Sequence, residues 1–578
     1  MVSTLHSSSP SPSLSASSPH SPPDLEAQPR HPHHHERTYP EAELSNSAVV
    51  WDEGLREWRS HDEAERDSDV TTVGGGGGGP RAATETTTPG EKGVPGEVVG
   101  EKGAQSADSK VIWVEWDGEA DPMNPFNWSD RKKWTTCLLC CFFTFLVAYC
   151  GTAFGQGSGS MIRELGCSEE LATLGLSIFP LGFGLGPLFT APLSEAYGRY
   201  PLYVISALFY LIFFIPIAYG QNIATVIICR FIQGVAASTG STLVGGTVAD
   251  LFDSHNRGLG MAVFSISAFL GTGLGPAVSG YIELKKGWRW IEWVQMMFAG
   301  LLAVGIIFFT RETRGSVILS RRAKKLRKET GSDLYQCRSD AERASLAVLL
   351  KVSMTRPLYL LGTESIVFFF SLWAGFSWGC LYLLVEAIPL IFSNQYSFNI
   401  GEVGLVFYSV IVATFAGFLT TYFLQEKLYQ KNVARRGPEA RLYASLIGGL
   451  VFPAGAFILA FSQGRGHWFG PVVGVFLIFY GVYTIYLAVF TYLADCYTIY
   501  ASSALSGQSL CRNLAAFSFP LFTRQMYKGL GYQWASFLAG MLALALSMTP
   551  FVLMKFGPSI RAKSKFAKEL ARMQAAKA

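Results

Sequence analysis

Long apolar runs fill most of the chain between residues 134 and 554 and leave it few ways to fold. The sequence is 49% hydrophobic and only 16% charged, whereas globular proteins carry about 25% charged residues. A helix crosses a bilayer with about 20 apolar residues. The fold class predicted is therefore an all-α polytopic membrane protein of twelve spans in two six-helix halves. We place the spans at residues 134–154, 171–193, 201–220, 223–248, 259–282, 288–310, 357–391, 401–424, 441–462, 469–494, 501–523 and 531–554.

Polar segments divide the chain into regions. The first 110 residues are rich in Ser, Pro, Gly and acidic residues, which predicts a disordered tail because such a composition cannot bury a core. The regions are this tail (1–110), a pre-membrane segment (111–133), an N-terminal six-helix half (134–310), a central loop (311–356), a C-terminal six-helix half (357–555) and a basic tail (556–578).

Basic residues are concentrated in the loops on one side of the predicted spans. The central loop contains SRRAKKLRK (Ser320–Lys328), whereas SNQYSFNIGE, on the other side, has no Lys or Arg. Basic loops stay in the cytosol, so we expect both termini and the central loop to be cytosolic. The SRRAKKLRK segment is predicted to be either a helix against the anionic inner leaflet or a solvated linker.

Other classes of function find little support in the sequence. The net charge of +4 is too small to suggest nucleic-acid binding. The segment CLLCC (Cys137–Cys141) lies in an apolar run without a second cysteine pair, which favours buried side chains over a metal or redox site. The segment HPHHHE (His31–Glu36) is more typical of a polar low-complexity tract than of a metal site. We expect neither a metal nor another cofactor.

Short matches between the two halves indicate an internal repeat. Span 4 ends in VAD (Val248–Asp250) and span 10 ends in LAD (Leu493–Asp495). Span 3 opens with RYPLY (Arg199–Tyr203), and span 9 opens with EARLY (Glu439–Tyr443). Two parallel halves are a plan of transporters, with the substrate at the midplane between them.

The loop between spans 2 and 3 reads APLSEAYGRYPLY. It resembles the G-x-L-a-D-r-x-G-R-K loop of the major facilitator superfamily. The chain is most similar to the fungal twelve-span drug:proton antiporter branch, which includes polyamine, multidrug and secondary-metabolite exporters. The resemblance matches Glu195 to the acidic position, Gly198 to the turn and Arg199 to the base. Departures from the pattern are Ala191, Ala196 and Tyr200.

This resemblance implies an inner gate. In the family the acidic residue lies near a helix N-terminus of the other half, where an anion is favoured, and latches the gate. The gate residues are therefore predicted to be Glu195, Gly198, Arg199, Asp250 and Asp495.

The segment RFIQG (Arg230–Gly234) resembles the R-x-x-q-G motif of proton-coupled members of the family. A charge inside a membrane is costly and faces a cavity or a partner. The alternative is an arginine paired with a helix end. We predict that proton coupling involves Glu386 in the outer part of span 7, with Arg230 as its partner. Glu364 and Asp495 are the next candidates.

The segment GTGLGPAVSG in span 5 resembles the antiporter motif g-x-x-x-G-P-x-x-G-G of exporters. Gly271 and Gly275 lie on one helix face, and small faces let helices pack closely in lipid. Pro276 removes a backbone hydrogen bond and bends a helix, and Gly280 completes the motif. We therefore predict a bent, tightly packed helix near the join of the halves. Close packing without export specificity is the alternative.

Span 7 carries Trp378, Tyr382 and Glu386 at helical spacing, which suits an amphipathic or cationic ligand. An aromatic packing stripe is the alternative interpretation. The complete predicted cavity lining is Gln156, Gln233, Trp378, Tyr382, Tyr483, Tyr486, Arg512 and Asn513.

These features, together with the resemblance, predict a secondary active efflux transporter rather than an enzyme, working by proton antiport in the plasma membrane or a vacuolar membrane. Its partners would be protons, the bilayer and an amphipathic small molecule such as a secondary metabolite, a glycolipid or an antifungal drug, and it would act as a monomer. A polyamine exporter is the main alternative. A sugar uptake carrier is disfavoured by the antiporter motif, and a membrane acyltransferase by the lack of histidine in the spans.

Overall fold

The computed structural model describes residues 111–253, 257–341, 345–564 and residue 566. The predicted disordered tail at residues 1–110 and most of the residues after 564 lie outside the described residues. Within the described part the chain is almost entirely helical, as the apolar runs predict.

Six helical spans form the N-terminal half, and several are interrupted by a short turn. Their bounds are span 1 Asp130–Leu165 (helices Asp130–Ala153 and Ser158–Leu165), span 2 Glu169–Tyr197 (Glu169–Leu185 and Pro187–Tyr197), span 3 Arg199–Tyr219 (Arg199–Ile212 and Phe214–Tyr219), span 4 Ile223–Leu251 (Ile223–Ala237, Thr239–Thr242 and Val244–Leu251), span 5 Arg257–Lys286 and span 6 Trp288–Phe309.

The C-terminal half has six further spans, of which spans 8 and 9 join through one helical stretch, Ile400–Ser462. Their bounds are span 7 Ser365–Tyr396, span 8 Ile400–Val406, Tyr408–Leu419, the π-helix Thr420–Gln425 and Glu426–Arg436, span 9 Tyr443–Ser462, span 10 Phe469–Tyr497, span 11 Ala501–Leu530 and span 12 Tyr532–Leu546 with Met548–Lys563. We call the side on which span 1 begins the terminal face and the opposite side the far face.

Ten helical stretches in the described residues are long and apolar enough to cross a membrane. One of the ten contains both span 8 and span 9, and span 11 is not among them because Arg512, Asn513 and Arg524 lower its hydropathy. Large apolar side chains such as Leu301 and Phe308 are exposed on the outside of the bundle, which suits lipid. The chain is therefore a multi-pass membrane protein.

The segment predicted as a central loop is folded. It contains the helix Gly315–Thr330, strand β2 (Tyr335–Gln336), and the short helix Arg338–Ala341. Strand β1 (Ile112–Trp113) pairs in parallel with β2, so the pre-membrane segment docks on this loop.

Asp121 fixes the docking because it forms an ion pair with Arg322 at 2.9 Å. The backbone N–H groups of Asp117 and Met123 donate to its carboxylate and, together with Arg322, hold its pKa below its usual range.

The start of span 7 differs from the prediction of one helix from residue 357. A separate helix, Leu346–Thr363, ends at Glu364, and span 7 begins at Ser365. The Glu364 carboxylate accepts hydrogen bonds from the hydroxyl groups of Tyr497 and Ser564, at 3.0 and 2.9 Å. This break depends on partners more than a hundred residues away, so the local sequence pattern does not contain it.

Among the described spans, two pairs of helices make the most extensive contact between the halves. Span 5 packs against span 8, and span 2 packs against span 11. These two pairs close opposite sides of the space between the halves.

Candidate functional site

A cavity with a volume of about 60 Å³ lies at the join of the halves. Spans 1, 2, 4 and 5 of the N-terminal half and spans 7, 10 and 11 of the C-terminal half contribute to its lining. The structure brings together five of the predicted lining residues here, namely Trp378, Tyr382, Tyr486, Arg512 and Asn513.

Aromatic rings from both halves build one wall. The ring centroids of Trp378 and Tyr486 are 5.6 Å apart. Phe269 of span 5 packs edge-on against both, at 5.6 Å from Trp378 and 5.9 Å from Tyr486. Rings at these separations attract one another, so Phe269 supports the Trp378 and Tyr486 rings that line the cavity.

Arg512 is the only charged residue in the cavity lining within the described residues. Its guanidinium carbon lies 4.6 Å from the Trp378 ring centroid and 4.9 Å from that of Tyr486. These distances are within the range of cation–π attraction. The two rings therefore hold a cation at the cavity surface.

Three other predicted lining residues lie outside the cavity wall. Tyr483 is buried against Phe269, with a ring centroid distance of 5.0 Å, and packs on Gly417. Gln156 is buried in the 3₁₀ turn of span 1, and neither atom of its side-chain amide has a partner in the described residues. Gln233 accepts a hydrogen bond from Arg230 at 3.3 Å. For these three the prediction of a lining role has no support from the geometry.

Arg230 is completely buried behind the cavity wall. Its guanidinium donates to the Cys150 sulfur at 3.0 Å and to the carbonyl oxygen of Gly175 at 3.4 Å. It also lies over the ring of Phe179, at 4.7 Å, and Phe179 lines the cavity. The buried cation is thus one side chain away from the cavity.

The sequence analysis missed Glu292 of span 6, a buried carboxylate that interacts electrostatically with Arg230. Glu292 is 1% exposed, interacts electrostatically with Arg230, and has one carboxylate oxygen without a hydrogen-bond partner in the described residues. The available signal was a single acidic residue inside the aromatic run WRWIEWVQMM, where a buried charge indicates a function.

Glu386 has a different partner from the predicted Arg230. Its carboxylate accepts a hydrogen bond from Arg524 of span 11 at 3.2 Å. Arg524 also contacts Glu169 at the start of span 2, at 2.7 Å, and Lys528 lies 3.5 Å from the same carboxylate. The expected Glu386–Arg230 pair is therefore absent from this conformation. Because Glu169 belongs to the N-terminal half, the cluster instead joins the halves at the far face.

At the terminal face Arg199 contacts Asp250, with 2.9 Å between Nε and Oδ2. The backbone N–H of Arg199 donates to Glu312 at 2.9 Å, so a carboxylate does cap a helix N-terminus here. That carboxylate is Glu312 of the same half, whereas Glu195 makes no hydrogen bond or ion pair with a described residue.

Gly198 makes the Glu312 contact possible. Its φ of +99° is one that side-chain-bearing residues rarely adopt, and a Cβ there would collide with the Glu312 carboxylate. The tight turn identified in the sequence thus leaves room for an acidic group that the sequence did not indicate.

The C-terminal half repeats this arrangement. Arg441, in the 3₁₀ turn just before span 9, contacts Asp495, at the end of span 10, with 2.8 Å between Nε and Oδ2. Arg199 and Asp250 occupy the same span edges in the other half. The two ion pairs give the short sequence repeat a physical role, since each fastens the third and fourth spans of its half together.

The glycine motif packs span 5 against both halves. A Cβ on Gly275 would lie 2.7 Å from the Tyr149 carbonyl oxygen of span 1, and a Cβ on Gly271 would overlap the Phe145 carbonyl oxygen. On the opposite side, a Cβ on Gly280 would lie 2.6 Å from the Ile400 carbonyl oxygen of span 8. The predicted close packing at the join is therefore present.

Pro276 cannot donate a backbone hydrogen bond to the carbonyl of Thr272. The Thr152 hydroxyl of span 1 lies within hydrogen-bond distance of that carbonyl oxygen, at 3.2 Å. The proline and its glycine neighbours thus tie span 5 to span 1.

Comparison with known proteins agrees with this architecture. The family model described as Major Facilitator Superfamily matches residues 137–520. The chain belongs to the Major Facilitator Superfamily. A transporter of Penicillium rubens named paaT is 37% identical over 451 residues, which cover 77% of this chain and 82% of the relative. The efflux pump FUBT of Fusarium oxysporum is 36% identical over 447 residues, covering 76% of this chain and 75% of that pump.

These relatives confirm the resemblance of this superfamily member to the fungal efflux branch. Among solved structures, the proton:xylose symporter XylE aligns with a TM-score of 0.54 at 16% identity, covering 74% of this chain and 96% of XylE. At that identity the likeness shows the fold alone. It confirms the predicted fold class. The family model and the fungal relatives, not the structural likeness, place the protein among transporters.

Proposed function

We propose that this transporter exports amphipathic small organic molecules through the cavity between its halves, in exchange for protons. The observation that carries the proposal is the cavity itself, which is lined by both halves and bears one cation among aromatic rings. Sites at the interface of two repeats are where transporters of this plan bind substrate. The kinship with efflux pumps supports the outward direction of transport.

The polyamine alternative is weaker on this structure. A polycation needs carboxylates in its site, but the described cavity lining has Arg512 and no Asp or Glu. A sugar site is weaker too, because much of the lining is aromatic or aliphatic. The site fits a molecule with a flat apolar body.

Substitution of Trp378 by alanine tests this proposal. The variant removes a ring from the cavity wall, and we expect efflux of accepted compounds to fall by about tenfold, the value of a large aromatic contact. Efflux of a panel of fluorescent amphipaths is measured in yeast lacking its own pumps. Trp534→Ala is the matched control, since Trp534 is 57% exposed on the outside of the bundle.

Wild-type efflux by the Trp378 variant for every exported compound would contradict the proposed site. Failure of the wild-type protein to export any compound of the panel would contradict export of amphipaths itself. Surface expression of each variant is measured in parallel.

For proton coupling, we propose Glu292 together with Arg230 in place of the predicted Glu386 and Arg230. Glu292 is buried and interacts electrostatically with Arg230, a cation that touches the cavity wall, and one of its oxygens is unpaired within the described residues. Glu386 already has Arg524 as a partner and belongs to the cluster that joins the halves. We propose that Glu386 acts in closing the far face.

Localisation and orientation follow the sequence pattern. We propose the plasma membrane, with a vacuolar membrane as the alternative, and a monomeric protein. The terminal face, with its basic central loop, would be cytosolic. The far face would then open to the outside.

A further inference from the structure

Arg512 is an unusual residue for a cavity of this composition. It is 6% exposed and stands in a lining that otherwise contains only uncharged side chains. A cation removed from water is costly unless it is paired and hydrogen-bonded. The aromatic rings of Trp378 and Tyr486 meet part of that cost, but they accept no conventional hydrogen bond.

The donors of Arg512 are mostly free within the described residues. One terminal nitrogen donates to the Ser509 hydroxyl at 3.3 Å, and the Nε atom is buried without an acceptor. The neighbouring Asn513 uses its side-chain nitrogen on the Ser509 carbonyl at 2.8 Å. A guanidinium with free donors matches a carboxylate, which it binds through two parallel hydrogen bonds.

The second guanidinium near the cavity, that of Arg230, already has hydrogen-bond and electrostatic partners within the protein. Arg230 donates to groups of spans 1, 2 and 4 and interacts with Glu292. Arg512 has no such carboxylate near it in the lining. The positive charge at the cavity surface is therefore that of Arg512.

We propose that the cavity recognises an amphipathic organic anion, a molecule with a flat apolar ring system and one carboxylate, and that Arg512 binds the carboxylate. This specificity rests on the proposed export function and names its substrate class. The ring system lies against Trp378 and Tyr486, and the anion neutralises the buried cation. Cationic amphipaths are rejected because like charges would meet in a site shielded from water.

Two probes with the same ring system, one anionic and one neutral, test the contribution of the ligand's negative charge. 1-Naphthaleneacetate and 1-naphthaleneacetamide have the same ring and nearly the same shape, but only the acid is an anion at pH 7. Binding of each is measured by isothermal titration calorimetry on the purified full-length protein in lipid nanodiscs. We expect the acid to bind at least about tenfold more tightly, as a charge-assisted pair at a buried site implies.

Three variants test whether Arg512 causes the tighter binding of the acid. Arg512→Gln should remove the preference for the acid while leaving amide affinity within about twofold, and Arg512→Lys should keep part of the preference. Lys555→Gln removes a positive charge outside the cavity lining and should behave as wild type. Thermal melting of each variant verifies that it is folded.

Equal binding of acid and amide to the wild-type protein overturns the proposal, as does absence of binding by both. An Arg512→Gln variant that is folded and still prefers the acid also overturns it. If acid and amide bind the wild-type protein equally while it still exports neutral amphipaths, the export function stands and only the anion specificity is removed.

Discussion

Buried charges in this transporter differ in how completely they are paired. Arg199 and Glu439 have close partners of opposite charge, Asp250 and Arg561, at 2.9 Å. Glu292 interacts with Arg230 only electrostatically, and one of its oxygens has no hydrogen-bond partner in the described residues. A fully paired charge fixes structure. An incompletely paired one can gain or lose a proton at smaller structural cost, which is why Glu292 stands out.

Glu292→Gln should uncouple transport from the proton gradient. The titratable groups that interact electrostatically with Glu292 are Arg230 of span 4, Tyr149 and Cys150 of span 1, and Tyr210 of span 3. None of them supplies a second carboxylate, so the amide leaves this site without a proton-exchanging acid. We expect gradient-driven transport in proteoliposomes to fall by about tenfold or more, while substrate exchange without a gradient continues.

Glu386→Gln is the matched comparison. It removes an equally buried carboxylate, but one that forms an ion pair with Arg524, and should retain its response to the gradient. If Glu386→Gln loses that response and Glu292→Gln keeps it, the sequence-based assignment was right and the assignment from the structure is wrong.

Sequence could predict residues whose role depends on one helix or one short motif. The spacing of Trp378 and Tyr382 placed both on one face of span 7, and both line the cavity. The pairing of Arg512 with Trp378 and Tyr486 needed three helices to meet, which no local pattern shows. Gln156 carried no periodic signal that would place it behind the cavity wall.

At the scale of helices, the glycine pattern of span 5 was the most informative sequence signal. It predicted close packing, and the structure assigns one set of glycines to span 1 and another to span 8. The break before span 7 and the pairing of β1 with β2 were not predicted, because both depend on contacts between segments distant in sequence.

Gly275→Leu should impair transport by forcing spans 1 and 5 apart. Its first side-chain carbon would lie 2.6 Å from the Thr152 hydroxyl and 2.7 Å from the Tyr149 carbonyl oxygen. Overpacking of this kind costs about 1–3 kcal/mol, so we expect a lower melting temperature and reduced efflux at equal surface expression.

Gly300→Leu in span 6 is the control, since a Cβ there has no neighbour closer than 3.9 Å. It places the same bulk on the outside of the bundle. Equal melting temperatures and equal efflux for the two variants would show that the contact of spans 1 and 5 tolerates the leucine.

For the whole molecule, the relation between the halves determines which face is open. The described ion pairs between spans of opposite halves lie at the far face, where Glu169 of span 2 contacts Arg524 and Lys528 of span 11. At the terminal face the pairs Arg199–Asp250 and Arg441–Asp495 each stay within one half. Opening the far face must separate Glu169 from span 11, while the pairs within a half can persist.

A reversible cross-link across the far-face cluster should therefore stop export. Glu169 and Lys528 have side chains that are 46% and 68% exposed, so cysteines at both positions can react with a short bis-methanethiosulfonate reagent. Cys167→Ser is included because native Cys167 is partly exposed two residues away. Efflux should vanish after linking and return when a reductant cleaves the link, whereas each single-cysteine variant should keep exporting with reagent present.

Binding of a transported compound should survive linking, because the cavity would still load from the terminal face. Efflux that continues after complete linking, verified by mass spectrometry, would show that the far face opens without separating spans 2 and 11.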